Sequence, residues 1–560
     1  MRSFIQAIAA ACAVLFCASA ASAERIDYTL TPVMDDGALR AVQVDLRYRT
    51  GAVSQSTLRL PSDWGGQPEL WKSIRALEVV SGATMRDGET PSQRVLAHRQ
   101  NARVHVRYRI IQDWEGAPRA EIGNTYRPTV QPGYFHLIGD AAFVTPGEAG
   151  LNAPVRVRAR NLPRGWSFAS DLEHEGLTLQ AVWSSVSVGG DFRVLRDPQT
   201  NVRLAIRGQW NFTDADFMAR ASRIIGGHRA FWNDPASPYL VTVLQLEGPE
   251  GWVSVGGAGL SDGFAFFATP NAQEATITRT LAHESFHTWI SPEVGGLPQD
   301  NQALQYWLSE GFTDFYTGRM LVRAGIWSPE QFAADLNEAL RAYAQSPVRT
   351  APNTRILADY WSNRDAQRLP YQRGRFLAMM WEQRLRAAGH GMDAVVHDMR
   401  RRARAGNQYA VETFIAASPS FGLNLGSDIE TYVNQGAAIV LPEDLLAPCG
   451  RFVSRDVPNF HRGFDIAATQ ANSDVIAGVD PTLPAYAAGL RNGMILIRRE
   501  AGEIGDATQE IAYVVRDGDV ERTIRYMPRA PGAYQVQQLE LAQPLEDPHL
   551  AQCVALIGGR

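Results

Sequence analysis

The stretch EATITRTLAHESFHTWI, residues 274–290, governs how the rest of the chain is read. Within it, His283-Glu284-Ser285-Phe286-His287 sets two histidines four residues apart. On an α-helix, positions i and i+4 project from one face about one turn apart, so two imidazole nitrogens can reach one Zn²⁺ at about 2.0–2.1 Å. Glu284 lies on the same side, within reach of a water beside that metal as general base. Ile277, Leu281, Phe286 and Trp289 make the other faces apolar, as in a buried helix that carries a compact polar notch. The competing reading, a solvated charged face, fits those apolar neighbours badly.

A catalytic zinc needs a third protein ligand and one open position. The next helical stretch, NQALQYWLSEGFTDFYTGRML (301–321), offers Glu310, with 22 residues between it and His287. Leu304, Trp307, Leu308, Phe315 and Met320 mark a packed helix, in which an unpaired carboxylate would be costly to bury. Coordination removes that cost. Asp314, one turn on, is placed to accept a hydrogen bond from the second nitrogen of a zinc histidine; an ordinary surface Asp is the alternative. Tyr371, in LPYQRGRFLAMMWEQRL (369–385), is the candidate donor to an oxyanion at the scissile carbonyl. The set predicts one Zn²⁺ per chain.

Upstream, residues 25–195 read as short alternating strands. AVQVDLRYRT (41–50), ARVHVRYRII (102–111) and PVRVRARNL (154–162) each suit a strand with one wet face, and Asp36-Gly37, Asp87-Gly88 and Pro132-Gly133 supply turns. The period changes near residue 212: ADFMARASRIIGGHRAFW (215–232) is helical, while YLVTVLQLE (239–247) and GFAFFATP (263–270) are strand-like. Helices dominate from 271 to about 440. There Ser328, Pro329 and Gln331 form a capping box ahead of Phe332, Leu336, Leu340 and Tyr343 at helical spacing, and Gly325 and Gly389 suit helix stops. Short strands return after about 445. The expected fold class is multidomain α+β: an N-terminal β-rich domain (24–195), a mainly helical catalytic domain (196–445) and a C-terminal β domain (446–560).

Residues 1–23, MRSFIQAIAAACAVLFCASAASA, combine Arg2, an apolar stretch over 5–16 broken by Gln6, and the small-residue site Ala21-Ser22-Ala23. That is the pattern of a signal peptide, so the mature chain is expected in the periplasm or outside the cell. Cys12 and Cys17 leave with the signal. Cys449 and Cys553 remain as an even pair in an oxidising compartment, expected to form a disulfide across the C-terminal domain; two buried free thiols are the alternative. No later apolar run reaches the roughly 18 residues of a membrane span. With 560 residues, 45% of them hydrophobic, the chain can build sizeable cores, which excludes a disordered class. The balance of 54 basic and 59 acidic residues lacks the basic excess of a nucleic-acid binder.

HESFHTW (283–289), LSEGFTDFY (308–316) and PYQRG (370–374) together resemble the PDZ-containing glycyl aminopeptidase family. These gluzincins are relatives of the alanyl aminopeptidases and leukotriene hydrolase. The resemblance implies a thermolysin-like catalytic domain, His283, His287 and Glu310 as zinc ligands, and Tyr371 as the transition-state donor. LPRGWSFASDL (162–172) resembles the family's N-terminal domain, and Arg323-Ala324-Gly325 follows the glutamate helix as in the family. AGVDPTLPAYAAGLRNGMILI (477–497) resembles a PDZ strand–helix–turn segment, with Met494 where Asp is usual. HRGFD (461–465) stands where a PDZ loop receives a peptide's terminal carboxylate, so a C-terminal peptide is an expected ligand.

Two departures stand out. The His287-to-Glu310 gap is shorter than the family's. The family's upstream G-G-L-E-H, whose Glu holds the substrate amine, reads GAGLSDG (257–263) here, with Ser261 at the Glu position and Asp262 next. Because adjacent strand residues face opposite sides, Asp262 can serve as amine anchor only if the strand slips or the loop bends. The expected activity is zinc-dependent hydrolysis of peptide or protein substrates, as an aminopeptidase; an endopeptidase and a non-catalytic PDZ-type peptide binder are the alternatives.

Overall fold

In the computed structural model, which describes residues 25–559 except 121–123, 236, 250, 299, 407 and 408, period-two alternation builds the first layers as strands. The signal-peptide segment lies outside the described residues. Ile26–Asp35 and Ala38–Arg49 form a hairpin across Asp36 (φ 48°) and Gly37 (φ 77°), whose left-handed backbone suits a tight turn. They sit in a five-stranded sheet ordered Val155–Ala159, Ile26–Asp35, Ala38–Arg49, Arg103–Ile110, Ile74–Ser81. A four-stranded sheet containing Gln55–Arg59 and Gln93–His98 faces it, and Leu30, Val44, Leu46, Leu58, Leu96 and Val106 share the core.

A third sheet of this region, ordered Ser167–Ser170, Val186–Gly190, Tyr134–Ile138, Thr129–Gln131, touches the rest of the molecule. Ile138, Val186 and Val188 share a core with Ala205, Leu240, Leu244, Ala265 and Phe267 of the next sheet. That sheet runs Arg193–Asp197, Val202–Arg207, Tyr239–Gln245, Gly263–Ala268, Val255–Gly259, with its three middle strands parallel. Val255–Gly259 is its antiparallel edge. Asp214–Trp232 and Glu274–Phe286 contribute to the core on the sheet's other face through Phe217, Ile224, Ile277 and Leu281.

The helices Tyr306–Arg323 and Arg364–Ala387 cross at glycine on glycine. A Cβ on Gly374 would fall 1.6 Å from the Trp307 carbonyl oxygen, and one on Gly311 would fall 2.4 Å from the Gly374 Cα. Only hydrogen fits at this crossing. Pro329–Gln345 begins with the capping box expected from the sequence, and Gly325 (φ 64°) and Gly389 (φ 79°) end helices as expected.

Two long strands, Gly450–Phe460 and Arg529–Leu541, form an antiparallel ribbon along Pro329–Gln345. The Asn337 amide binds it as a strand would, accepting from Leu539 N (2.7 Å) and donating to Leu539 O (3.1 Å). Phe452, Val457, Val536 and Leu539 belong to the same core as Tyr306–Arg323 and Arg364–Ala387. The residues between the two strands fold around a separate small core of Phe464, Ile476, Leu490, Met494, Ile511, Val515 and Ile524. Met494, standing where the resemblance has Asp, is a core side chain of this unit. Arg341 docks the unit onto the helix through Asp506 (2.5 Å) and Glu503 (3.1 Å). No helix among the described residues is long and apolar enough to cross a membrane.

The Cys449–Cys553 disulfide expected from the cysteine count is present, with the half-cystines 104 residues apart. It ties the start of the ribbon to the terminal helix His549–Gly558, whose Ile557 enters the core shared by the long helices. Closing a loop of this length stabilises by about 4–5 kcal/mol in the chain-entropy model. Reduction should therefore lower the urea midpoint markedly, and non-reduced peptide mapping should recover the linked Cys449 and Cys553 peptides; two free thiols in the oxidised protein would exclude the bridge.

Candidate metal centre

His283 sits in the last turn of Glu274–Phe286, and His287 is the residue that caps that helix. His287 keeps right-handed helical backbone (φ −62°, ψ −15°), so the i, i+4 geometry survives the helix end. The two Nε2 atoms lie 3.2 Å apart. Glu310 Oε2, from Tyr306–Arg323, lies 3.3 Å from His283 Nε2 and 3.2 Å from His287 Nε2. Donor atoms about 2.0–2.1 Å from a tetrahedral ion lie roughly 3.3–3.4 Å from one another. Two imidazoles and one carboxylate at this spacing fit a zinc ion with one position left for water or substrate. His283, His287 and Glu310 are the metal-competent group found among the described residues.

The second nitrogen of each ring is held. His283 Nδ1 donates to Asp314 Oδ1 (2.9 Å) and His287 Nδ1 to the Ile290 carbonyl (2.8 Å), which leaves both Nε2 lone pairs facing Glu310. Asp314 therefore stands where the sequence suggested. Its carboxylate also receives Arg279 Nη2 (2.8 Å), and Arg279 Nε reaches Asp335 (2.6 Å). Arg375 closes the chain at Asp335 (2.7 Å). Burial pushes the Asp314 carboxyl up, but Arg279 and His283 beside it bring it on balance well below the usual carboxylate range.

Glu284 enters the same space. Burial raises its carboxyl above the usual range, and the Gly259 N–H on the edge strand donates to it. A carboxylate moved up in this way is a better base near neutrality. Gly259 itself has no room for a side chain, since a Cβ there would fall 2.8 Å from the Glu284 carbonyl oxygen. Tyr371 stacks on the His283 ring, with centroids 5.6 Å apart and planes 21° apart. Burial, with Glu310 close by, lifts its phenol well above its ordinary value and keeps it a donor. Its hydroxyl hydrogen-bonds that of Tyr360.

Asp262 lies apart from this cluster. Leu260 N donates to Gly263 O (2.9 Å), so Ser261 and Asp262 are the two central residues of the tight turn that ends the edge strand. The Ser261 N–H is held by Ser184 O (3.2 Å) and Oγ (3.0 Å). The opposite-face constraint of a strand thus does not apply at Asp262, because the chain is already turning. Its carboxylate stands 3.8 Å from His174 Nε2, on the wall of an open polar cavity of ≈ 270 Å³ shared with Thr178, Gln180 and Ser261.

Gly259, Tyr360, Arg279 and Asp335 carried no signal in the sequence. The first acts through its backbone, and the others are ordinary residues until the helices bring them together.

An aminopeptidase N family protein from Idiomarina loihiensis superimposes with TM-score 0.67 at 15% identity, covering 95% of this chain and 100% of that one. The likeness shows a shared fold over nearly the whole length. An M1 zinc metallopeptidase from Deinococcus radiodurans aligns less closely, with TM-score 0.47 at 15% identity over 75% of this chain and 95% of that one. No curated protein matches at the level of sequence. Residues 276–361, which hold both histidines, Glu284, Glu310 and Asp314, match the M61 glycyl aminopeptidase family model. The segment that carries the metal-competent residues is thus similar to the M61 glycyl aminopeptidases.

In this fold the glycine crossing sets the distance between the Glu310 and Tyr371 helices. Gly374→Ala should push them apart, destabilise the fold by about 1–3 kcal/mol and lower turnover more than metal content. Denaturant unfolding, metal analysis and kinetics on one preparation check this; wild-type values in all three would remove the crossing from the argument.

Proposed function

We propose that His283, His287 and Glu310 hold one catalytic Zn²⁺ in an exported aminopeptidase. The observation that carries this reading is the convergence of three donor atoms at 3.2–3.3 Å spacing with the Glu284 carboxylate and the Tyr371 hydroxyl beside them. When bound, zinc supplies Lewis acidity toward the scissile carbonyl and lowers the pKa of water. Glu284 takes the proton of the attacking water and passes it to the leaving amine. Tyr371 donates to the oxyanion as the carbonyl becomes tetrahedral. Asp314 fixes the tautomer and orientation of His283.

The edge strand supports a substrate bound as an added strand. Of its glycines, Gly256 has open space on its Cβ side, while the space beside Gly257 and Gly259 is filled by Phe264, Ala265 and the Glu284 backbone. A protonated amine held near the zinc needs an anionic partner. Asp262, on the turn three residues beyond Gly259 and on the wall of the polar cavity, is the carboxylate we assign to that role. The endopeptidase reading is favoured by Ser261, which brings no charge to the position of the family's anchoring Glu. The unit between the ribbon strands is proposed as a PDZ-like module that recruits chains. Its Gly463 N–H already donates to His461 Nδ1 (2.9 Å), so a terminal carboxylate there would compete with His461. The pattern of residues 1–23 and the disulfide support export to the periplasm or beyond the cell.

Glu284→Gln should keep about one zinc per chain and lose roughly 10²–10⁴ in kcat. Glu310→Ala should lose the metal too, and a zinc content equal to wild type would strike Glu310 from the ligands. Tyr371→Phe should retain metal and lose roughly 10²–10³ in kcat. N-terminal acetylation of a test peptide should abolish cleavage, and Asp262→Asn should raise KM for free-amine peptides. Equal cleavage of blocked and free peptides would make the protein an endopeptidase with the same chemistry.

A further inference from the structure

Behind the metal helices lies a cavity that neither the zinc site nor the substrate cleft uses. Its volume is ≈ 20 Å³, room for one body of about the size of a water molecule or a halide. Three guanidiniums line it, Arg319, Arg375 and Arg386, with Glu382 as the one carboxylate. Phe315, Phe332, Leu445, Leu556 and Ile557 are among its apolar walls. Arg319 and Arg375 are 3% and 1% exposed.

The unmatched polar atoms at this cavity are all donors. Arg319 Nε, both Arg375 Nη atoms and Arg386 Nε are buried without a hydrogen-bond acceptor. Arg375 Nη2 does lie 2.7 Å from Asp335 Oδ2, and Arg386 Nε lies 3.2 Å from Glu382 Oε1, as ion pairs out of line for a hydrogen bond. Asp335 also serves Arg279, and both Glu382 oxygens already accept a hydrogen bond. Glu382 Oε1 receives Arg319 Nη2 (3.0 Å) and its Oε2 receives the Met392 N–H (2.6 Å). A water placed here would meet several donors, with the remaining lone pairs of Glu382 as the side-chain acceptor for its own hydrogens. Buried donors without acceptors are costly, and a bound anion answers each of them at once. The small volume and apolar walls exclude phosphate, sulfate and carboxylate ligands.

We propose that this cavity is a binding site for a single halide ion, physiologically chloride, held by Arg319, Arg375 and Arg386. The ion would bridge the helices Tyr306–Arg323 and Arg364–Ala387 beneath the apolar Leu556 and Ile557 of the terminal helix, so it acts on the stability of the assembled core. The site holds none of the proposed metal ligands or catalytic groups and shares only Arg375 with the chain of ion pairs behind His283.

The test uses the intact, oxidised protein. Crystals soaked in sodium bromide should show an anomalous peak within hydrogen-bond reach of Arg319 Nε and Arg375 Nη1. Thermal unfolding in sodium chloride, against sodium gluconate at equal ionic strength, should show a saturable rise of about 2 °C that Arg386→Gln abolishes. The Arg386 side chain is 29% exposed, so its loss leaves no large void, and the crystallographic experiment needs no variant. No bromide peak means that the cavity holds water only and overturns the proposal. A peak with equal midpoints in chloride and gluconate means an adventitious ion only and also overturns it. An undiminished chloride effect in Arg386→Gln refutes the site as drawn.

Discussion

Three electron-rich atoms held 3.2–3.3 Å apart in a buried site are the constraint on which the rest of this molecule depends. Lone pairs so close repel unless a cation lies between them, so the scaffold must hold them together before the metal arrives. Two of the three come from one helix end and set each other's distance locally. The third comes from a second helix, and its position is a matter of packing. Trp307, Leu308, Phe312 and Phe315 on the Glu310 helix are buried against the helices around it, and the Gly311–Gly374 contact lets the Tyr371 helix approach to backbone contact. A methyl group at either glycine would be felt at the metal.

Charge is handled in the same layered way. The negative Asp314 orients a ring, Arg279 offsets Asp314, and Asp335 is shared between Arg279 and Arg375. Each buried charge meets an opposite one, which makes burial tolerable. This chain of pairs runs from the metal-facing imidazole to the back of the helical layer, where Arg375 borders the arginine-lined cavity. The C-terminal ribbon, the disulfide and the last helix close that side. The outermost residues in sequence thus belong to the same core as the catalytic helices.

The face of the site is built differently. An N-terminal sheet buries one side of the catalytic sheet and leaves Val255–Gly259 as an edge beside Glu284. The strand stops short because Ser261 and Asp262 turn the chain back. The polar cavity next to that turn combines Ser261 and Asp262 with His174, Thr178 and Gln180 from the N-terminal region. The walls of this cavity therefore come from two regions that the sequence presents as separate.

What the sequence determined by itself was whatever depends on near neighbours. The i, i+4 histidines with Glu284 are one turn of one helix, and Glu310 with Asp314 is one turn of another, so periodicity alone aligned each pair. The Ser328 capping box, the Asp36-Gly37 turn and the alternating strands are legible for the same reason. Tyr371 was singled out by its motif, although its partners lie in distant segments. The tertiary structure decided what depends on helices and strands meeting: the Arg279–Asp335 pairing, the Tyr360 hydroxyl at Tyr371, the Gly259 N–H at Glu284, and the placement of Asp262 on a turn where the family resemblance suggested a strand. These contacts join residues with no fixed spacing and no unusual chemistry of their own. Their roles arise only when packing removes water from between them, and no local pattern records that event.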